Sequence, residues 1–352
     1  MAALLMQYGL QRSKWHPCLF FGTDEHGKIN LLMSTWVDDF KVYGSNMDTI
    51  DRLLLFLDSK GVTLTRGSTV RYLGMDWKYD PEEGVCTISQ ASYIHETLEA
   101  FGMADCKPAP TPGETSTALP EHLVNEKNEM YPVLVGKLIY MLLTRHDIQF
   151  AVSRVCSHMH RNGDIHWQAA KRILRYLQGT SSVSLTLRAC SQGMVLQGYT
   201  DAAWKQAGGK GKGISGWIIA MGSSSIAVQS KTQHCTTLSA TEAEVYAGID
   251  LALEIITYRR ILEEMGVTQS GPTIIWTDSS SSLPVYEKLM PKGLGKIIDG
   301  RLHRIHELVL DGMIVFKYLS THELPPDVLT KHLPGPQHKY LCDMIQNGTL
   351  PG

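Results

Sequence analysis

The alternation of apolar and polar positions is clearest in the C-terminal part of the chain. Three successive apolar runs are typical of strands, and a long helical pattern from about Ala240 to Met265 follows them. Two more strands and a final helix that begins near Pro326 complete the pattern. The predicted strands are Val195–Asp201, Ile214–Met221, Ser225–Ser230, Thr273–Asp278 and Met313–Leu319. This order predicts an α/β fold with a mixed five-stranded sheet, in which an antiparallel meander is extended by parallel crossover units with flanking helices.

The first 180 residues show shorter patterns of both kinds. Apolar residues three and four positions apart predict helices over Asn46–Lys60, Leu134–Leu143 and Trp167–Leu177. Predicted strands are Ile29–Thr35, Val70–Asp76 and Val85–Ile88. We therefore expect a mixed α/β segment that is followed by a helical region.

Two polar segments divide the chain. Cys106–Leu119 contains three prolines, which fix φ and cannot donate ladder hydrogen bonds, so it predicts an extended connector. Ala189–Gly193 predicts a turn. We expect three domains, at residues 1–112, 113–190 and 191–345.

Composition narrows the class of protein. The 352 residues are 43% hydrophobic, and the seven cysteines are scattered without a C-x-x-C pair, which argues against a disulfide framework or a zinc knuckle. No apolar run approaches the roughly 20 residues of a membrane span, and the N-terminus lacks the pattern of a signal peptide. We expect a soluble protein of a reducing, intracellular setting that has no membrane partner.

Charge is almost balanced over the whole chain, with 33 Lys and Arg against 35 Asp and Glu. Any nucleic-acid surface must therefore be local. Residues 130–180 contain seven Lys and Arg in the helical patterns but only Asp147 and Asp164 as acids there, and Lys171, Arg172 and Arg175 cluster on one predicted helix. This excess predicts either a surface that follows phosphates or a solvated helix face.

Acidic residues stand at positions where packing does not require them. Asp201 and Asp278 each end a predicted strand after a threonine, and neighbouring strands would bring both carboxylates into one crevice. Glu242 has the S-x-x-E spacing of a capping box, whereas Glu244 has no such function and is followed by Gly248, which we expect to leave its helix face open.

A fourth acid follows two prolines at the predicted start of the last helix. There the helix dipole would keep Asp327 ionised. Individually, Asp327 has an alternative role as an N-cap, and Asp201 and Asp278 as turn residues. Together, four acids from strand, helix, strand and helix start predict a site for two Mg²⁺ ions, with Mn²⁺ as a substitute, that hydrolyses phosphodiesters.

Seven short motifs are spread over the chain. They are Trp36–Asp39, Tyr72–Met75, Thr144–Val152, Lys171–Thr180, Gly198–Trp204, Ser239–Glu244 and Asp327–Lys331. In this order they resemble the C-terminal portion of the Pol polyprotein of copia-type LTR retrotransposons, and Trp36–Asp39 is similar to the Tyr-Val-Asp-Asp box of its polymerase. The resemblance covers nearly the whole chain, through the end of reverse transcriptase, a connection region and ribonuclease H.

The resemblance assigns roles to several of these residues. It implies that Asp201, Glu244, Asp278 and Asp327 bind metal and catalyse, and that His322 assists proton transfer or product release. A hydrogen bond from His322 to backbone is an equal alternative. Asp38 and Asp39 match the metal-binding acids of the polymerase, but an earlier Asp and the fingers would lie upstream of Met1. We therefore expect no polymerase activity, and interpret Asp38 and Asp39 as a hairpin turn of a truncated palm.

The resemblance predicts a ribonuclease H that cleaves the RNA strand of RNA/DNA hybrids, with Lys171, Arg172 and Arg175 holding the duplex. The upstream part of a Pol polyprotein is the other expected partner, in a cytoplasmic particle or the nucleus. A catalytically silent transposon remnant that still folds and binds nucleic acid is the alternative. An integrase or resolvase is disfavoured, because such enzymes lack the preceding polymerase segment.

Overall fold

The structure is a computed structural model that describes residues 1–37, 39–62, 70–115, 119–120, 128–190, 193–204, 212–287 and 296–352. Asp38 lies outside the described residues. The chain forms two compact units. One unit contains residues 1–78 and 256–270, and the other contains residues 79–255 and 271–352. The predicted three-domain division stays a prediction.

The first unit is a small antiparallel sheet covered by helices. Its elements are α1 (Ala2–Tyr8), β1 (Gln11–Arg12), β2 (Leu19–Thr23), β3 (Ile29–Trp36), β4 (Asp39–Gly44), α2 (Met47–Ser59), β5 (Val70–Tyr72) and β6 (Met75–Asp80), of which β6 continues two residues past the unit. Strands β1 to β4 pair in chain order, and β5 pairs with β6. Asn46 begins α2 by accepting a hydrogen bond from the Thr49 backbone N–H at 2.9 Å. Leu5, Phe20, Met33 and Leu53 form the buried core beneath this helix.

The second unit begins with a helical layer. It contains β7 (Val85–Ser89), α3 (Ala91–Ala100), α4 (Met130–Met141), α5 (Gln149–Cys156), α6 (Asp164–Gly179) and β8 (Leu185–Arg188). The predicted helical region is confirmed, because α4, α5 and α6 bury their apolar faces in one core that includes Leu134, Val152 and Leu174. Strand β8 is not predicted from the sequence, since its four residues pair with β7 only after the chain has folded back.

The mixed sheet of the second unit has five strands. They are β9 (Leu196–Ala203), β10 (Ile214–Met221), β11 (Ser224–Thr232), β12 (Thr273–Thr277) and β13 (Ile314–Tyr318). Their order is β11-β10-β9-β12-β13, with antiparallel pairs among the first three strands and parallel pairs from β9 to β13. The predicted meander with parallel crossovers is therefore confirmed. The helices that follow these strands are α7 (Ala240–Glu264), α8 (Leu283–Glu287), α9 (Lys296–Leu310) and α10 (Gly335–Asn347).

The prediction of a final helix from Pro326 is wrong. Residues Pro325–Leu329 form a short 3₁₀ segment, and α10 begins at Gly335. Two prolines at the start remove backbone donors, and Pro334 disfavours a helical conformation at the residue before it. Asp327 consequently lies in a tight turn between sheet and helix, not at the N-terminus of a long helix.

None of the helices among the described residues is both long enough and apolar enough to cross a membrane.

Candidate metal centre

Three acidic side chains meet at one edge of the mixed sheet. A ligand oxygen from each of Asp201, Glu244 and Asp278 lies within 4.8 Å of the other two. The parallel register pairs Trp276 of β12 with Tyr199 of β9, so positions 278 and 201 lie level two residues further on. Glu244 reaches the same point from the second turn of α7. The structure therefore brings together three of the four predicted acids.

Asp201 is buried inside the site. It lies within β9, which continues to Ala203, so the residue does not end the strand as expected. Its Oδ2 accepts a hydrogen bond from the Thr330 hydroxyl. Burial and, to a smaller extent, the charges of Asp327 and Asp278 together raise the pKa of Asp201 to about 6, although the Thr330 hydrogen bond opposes the rise. A carboxylate held this way is costly to ionise unless a cation is close.

Glu244 is the most strongly perturbed acid of the cluster. It is only 9% exposed, and one oxygen accepts the backbone N–H of Ala202. Its Oε2 is buried without a hydrogen-bond partner among the described residues. Burial, with a smaller contribution from the negative charges of Asp201 and Asp278, raises the pKa of Glu244 to about 9. A buried acceptor that has no donor fits a bound cation, which would supply the missing partner.

Gly248 has a different function from the predicted one. A Cβ atom at this position would lie 2.1 Å from the hydroxyl oxygen of Tyr286. The Tyr286 hydroxyl donates a hydrogen bond to the Glu244 backbone carbonyl at 3.0 Å, and its ring stacks on Phe316 at 3.6 Å between centroids. The glycine therefore admits a tyrosine that packs α7 against the sheet, and it does not leave an open face for metal.

The predicted capping box is present in an altered form. Ser239 Oγ accepts the Glu242 backbone N–H at 3.1 Å, as expected. The Glu242 carboxylate accepts the backbone N–H of Leu238 at 2.6 Å, one residue earlier than in the standard motif. Glu242 thus fixes the start of α7. Glu244 follows about half a helical turn after Glu242 and therefore faces the site.

Asp327 lies beside the three-acid group and binds protein side chains. Its carboxylate is 3% exposed and forms an ion pair with Lys331, while Gln337 Nε2 donates to its Oδ2 at 3.4 Å. Burial raises the pKa of Asp327, and the hydrogen bond and charge of Lys331 oppose that rise. Among the described residues, the acids within 4.8 Å of one another are Asp201, Glu244 and Asp278, so Asp327 is adjacent to this group and not a member of it.

The loop that carries His322 is fastened to the acid cluster. Thr321 Oγ1 donates a hydrogen bond to Asp278 Oδ2 at 2.7 Å. His322 follows directly in the 3₁₀ segment Thr321–Glu323 and is exposed. The histidine therefore lies next to the site with its side chain in solvent.

Three polar residues of the site receive no role in the sequence-based prediction. Thr321 and Thr330 orient carboxylates, and Lys331 neutralises one. The spacing of Asp327 and Lys331 is a pattern from which an ion pair could have been predicted. The two threonine contacts join residues 43 and 129 positions apart, so no local pattern predicts them.

Strands β3 and β4, which flank the polymerase-like motif, pair in an antiparallel arrangement. Asp39 begins β4 and pairs across the turn with Trp36, which ends β3. Val37 has a φ of 51°, in the left-handed region that β-branched residues avoid, and it is 85% exposed. Asp39 is exposed in this hairpin, which lies in the first unit.

Two basic residues of α6, Arg172 and Arg175, contact the connector between α3 and α4. Arg172 forms a 2.5 Å ion pair with Glu114, and Arg175 Nε donates to the Lys107 carbonyl oxygen at 2.8 Å. The ammonium of Lys171 lies 5.8 Å from the centre of the Trp167 ring. All three basic side chains are half-buried, and the charges of Arg172 and Arg175 help to hold the connector.

Arg145 does not belong to the basic surface. Its guanidinium is fully buried and binds Asp147 through two hydrogen bonds of 2.9 and 2.7 Å. The Tyr176 hydroxyl donates to the same carboxylate at 2.7 Å. This arginine and this aspartate neutralise each other in the core, so neither contributes to the surface, and the net charge excess predicted for residues 130–180 stays the same.

The family model "Reverse transcriptase (RNA-dependent DNA polymerase)" matches residues 1–115. The chain is 34% identical over 328 residues to the retrovirus-related Pol polyprotein from transposon TNT 1-94 of Nicotiana tabacum, covering 90% of this chain and 24% of the relative. It is 29% identical over 316 residues to the Pol polyprotein from transposon RE2 of Arabidopsis thaliana, covering 88% and 21%. The chain thus spans a quarter or less of the length of these relatives.

Solved structures that match parts of the chain include LC11-RNase H1 in complex with RNA/DNA hybrid. That structure is 16% identical and covers 38% of this chain and 93% of its own chain, at a TM-score of 0.29. The foamy viral protease-reverse transcriptase in complex with RNA/DNA hybrid is 14% identical and covers 86% of this chain and 37% of its own chain, at a TM-score of 0.44.

Proposed function

Because the chain belongs to the Pol polyproteins of copia-type LTR retrotransposons, we propose that it carries a ribonuclease H that cleaves the RNA strand of RNA/DNA hybrids. The supporting observation is the buried acidic cluster, in which Glu244 Oε2 lacks a donor and three carboxylates converge. Buried carboxylates at such short separation repel one another unless a cation or protons neutralise them.

The residues fit a divalent metal. Asp201, Glu244 and Asp278 would hold Mg²⁺, or Mn²⁺ in its place, because hard divalent cations prefer carboxylate oxygens, and Asp327 lies alongside. When bound, divalent ions stabilise the negative charge on the attacking and leaving oxygens of a phosphodiester displacement. Use of two ions is part of this proposal.

The protein's own groups prepare the site for this chemistry. Thr330 and Thr321 donate hydrogen bonds that fix the Asp201 and Asp278 carboxylates. We assign to His322, exposed on the loop that Thr321 fastens, the transfer of a proton to or from solvent at its imidazole. Catalytic residues in this proposal are Asp201, Glu244, Asp278, Asp327 and His322.

The hybrid would be recognised by shape. The 2′-hydroxyls of one strand distinguish RNA from DNA across a shallow minor groove, and phosphate contacts set the register. Lys171, Arg172 and Arg175 are the proposed phosphate contacts, and Arg172 would exchange its ion pair with Glu114 for a phosphate. The remainder of a Pol polyprotein, about three quarters of the relatives' length, is a proposed partner.

The experiment is cleavage of an end-labelled RNA/DNA hybrid by the full chain in Mg²⁺, beside the matching duplex DNA and duplex RNA. We expect cleavage of the RNA strand of the hybrid alone, and loss of cleavage in EDTA. A folded protein that leaves the hybrid intact would contradict the nuclease and favour the silent remnant that still binds nucleic acid. Cleavage of duplex DNA instead would favour an integrase-like or resolvase-like activity.

A further inference from the structure

Lys331 places a positive charge among the acids of the candidate metal centre. Its ammonium forms an ion pair with Asp327 Oδ1. The same charge also interacts with the carboxylates of Asp201, Asp278 and Glu244. Lys331 therefore lies in the electrostatic field of all four acids, as a bound metal ion would.

Glu244 and Asp327 differ in the partners that their carboxylate oxygens have. Glu244 has a buried oxygen without a hydrogen-bond partner among the described residues. Asp327 has a side-chain partner on each oxygen, Lys331 on Oδ1 and Gln337 on Oδ2. A cation can therefore bind Glu244 without displacing any described side chain, whereas a cation that binds Asp327 Oδ1 must first displace an ammonium.

Lys331 is able to move in this way. Its side chain is 48% exposed, whereas the Asp327 carboxylate is 3% exposed. The two residues are four positions apart, and lysine carries its charge on a flexible stem of four carbons. The ammonium can swing into solvent through side-chain rotation while Asp327 stays fixed.

We propose that Lys331 is an exchangeable internal cation, which neutralises Asp327 in the metal-free protein and must leave before a metal ion binds there. This inference rests on the proposed function, since it takes the acidic cluster to be a metal centre. It follows that a first ion binds Asp201, Glu244 and Asp278 without displacing the Lys331 ammonium from Asp327. A second ion has to displace it, so Lys331 weakens the binding of that second ion.

The experiment counts Mn²⁺ ions bound to the full chain without nucleic acid, from the electron paramagnetic resonance signal of free Mn²⁺. The variants are Lys331→Met, which removes the charge and keeps the stem length, and Lys331→Arg, which keeps the charge. Lys339→Met is the matched control, because Lys339 forms a 2.6 Å ion pair with Asp343 at the same four-residue spacing on an exposed helix face.

We expect wild type and Lys331→Arg to bind one Mn²⁺ more tightly than a second. Lys331→Met should bind the second ion up to about fivefold more tightly, since displacing a partly exposed ion pair costs up to about a factor of five in affinity. Lys339→Met should bind as wild type does. Unchanged or weakened Mn²⁺ binding in Lys331→Met, an equal gain in Lys339→Met, or no Mn²⁺ bound by any protein would each overturn the proposal.

Thermal unfolding gives a second measurement that does not depend on activity. Without metal, Lys331→Met leaves the buried acids unneutralised, so its melting temperature in EDTA should fall below that of wild type, and Mn²⁺ should restore more of it. A lower melting temperature that Mn²⁺ does not restore would mean that Lys331 is only structural. Failure of hybrid cleavage alone would remove the proposed nuclease, and the Mn²⁺ titration would still decide this inference.

Discussion

At the level of a single residue, Glu244 is the acid of the site whose pKa is raised most. Burial raises its pKa from 4.5 to about 9, so the folded protein binds a proton here that the unfolded chain releases above pH 4.5. Stability in the absence of metal must therefore fall as the pH rises from about 4.5 towards 9.

The variant Glu244→Gln tests this pH dependence. At pH 8 in EDTA, we expect it to unfold with a free energy about 1–3 kcal/mol higher than wild type, because the amide needs no proton to be neutral. Near pH 5 the two proteins should be equally stable. The measurement is urea denaturation at both pH values, and equal stability at pH 8 would contradict the raised pKa.

Thr330 is the second residue whose effect can be isolated. Its hydroxyl opposes the effect of burial on Asp201, whose pKa is about 6. Thr330→Val should raise that pKa further and shift the acid limb of the pH profile for hybrid cleavage to higher pH, while Thr330→Ser keeps the wild-type profile. The Val variant should also lose about 1 kcal/mol of stability. A profile that does not move would show that Thr330 does not tune Asp201.

Sequence predicts the acids better than it predicts their partners. Asp201, Glu244 and Asp278 converge as expected, since strand order and helix start are local patterns. The contacts of Thr321 and Thr330 depend on how distant segments fold together. The tyrosine that fills the space beside Gly248 lies 38 positions further along the chain, which is why that glycine is misinterpreted from the sequence alone.

At the scale of elements, two basic residues of helix α6 have two functions, since they hold the connector and are also proposed phosphate contacts. The sequence alone does not distinguish these two functions. Arg172 and Arg175 hold the connector through Glu114 and the Lys107 carbonyl oxygen. The triple variant Lys171→Ala/Arg172→Ala/Arg175→Ala should bind hybrid more weakly, and its salt slope should be smaller by about 2–3 because fewer counterions are released.

The matched variant Glu114→Gln leaves all three basic residues in place and releases Arg172. We expect it to bind hybrid at least as tightly as wild type. Both proteins are compared by titration of labelled hybrid at several salt concentrations, in Ca²⁺ to prevent cleavage. An unchanged salt slope in the triple variant would mean that α6 is a structural helix only.

A buried ion pair fastens the helical layer of the second unit. Arg145 and Asp147 pair in the core beneath the Tyr176 hydroxyl, and Arg145 also donates to the Thr180 carbonyl oxygen at 2.9 Å. Asp147→Asn leaves the guanidinium without its counter-charge, so urea denaturation should show a loss of about 3–5 kcal/mol. The double variant Arg145→Met/Asp147→Leu should recover part of this loss. A fully stable single variant would contradict a structural role for the pair.

For the whole molecule, the order of elements is predictable because apolar residues recur at every second position in strands and at every third or fourth position in helices. The five-stranded sheet of the second unit has the predicted order and directions. The helical layer and the sheet belong to the same compact unit, where His146 Nδ1 and Ser225 Oγ lie 3.1 Å apart and Gln346 donates to the Thr144 carbonyl oxygen at 3.0 Å. Such contacts between distant segments depend on packing in the folded protein. The proline-rich connector predicts a boundary between segments, but it does not predict which of their residues will be in contact.

We propose that the acidic cluster of the mixed sheet makes this chain a metal-dependent ribonuclease H. The most direct measurement compares Mg²⁺-dependent cleavage of RNA/DNA hybrid by Asp278→Asn and by Asp39→Asn, an equal change in the exposed hairpin of the first unit. We predict that Asp278→Asn lowers cleavage by at least about 100-fold, the scale seen when a group that stabilises transition-state charge is removed, while Asp39→Asn cleaves as wild type does. Equal cleavage by the two variants, or loss only in Asp39→Asn, would contradict the claim.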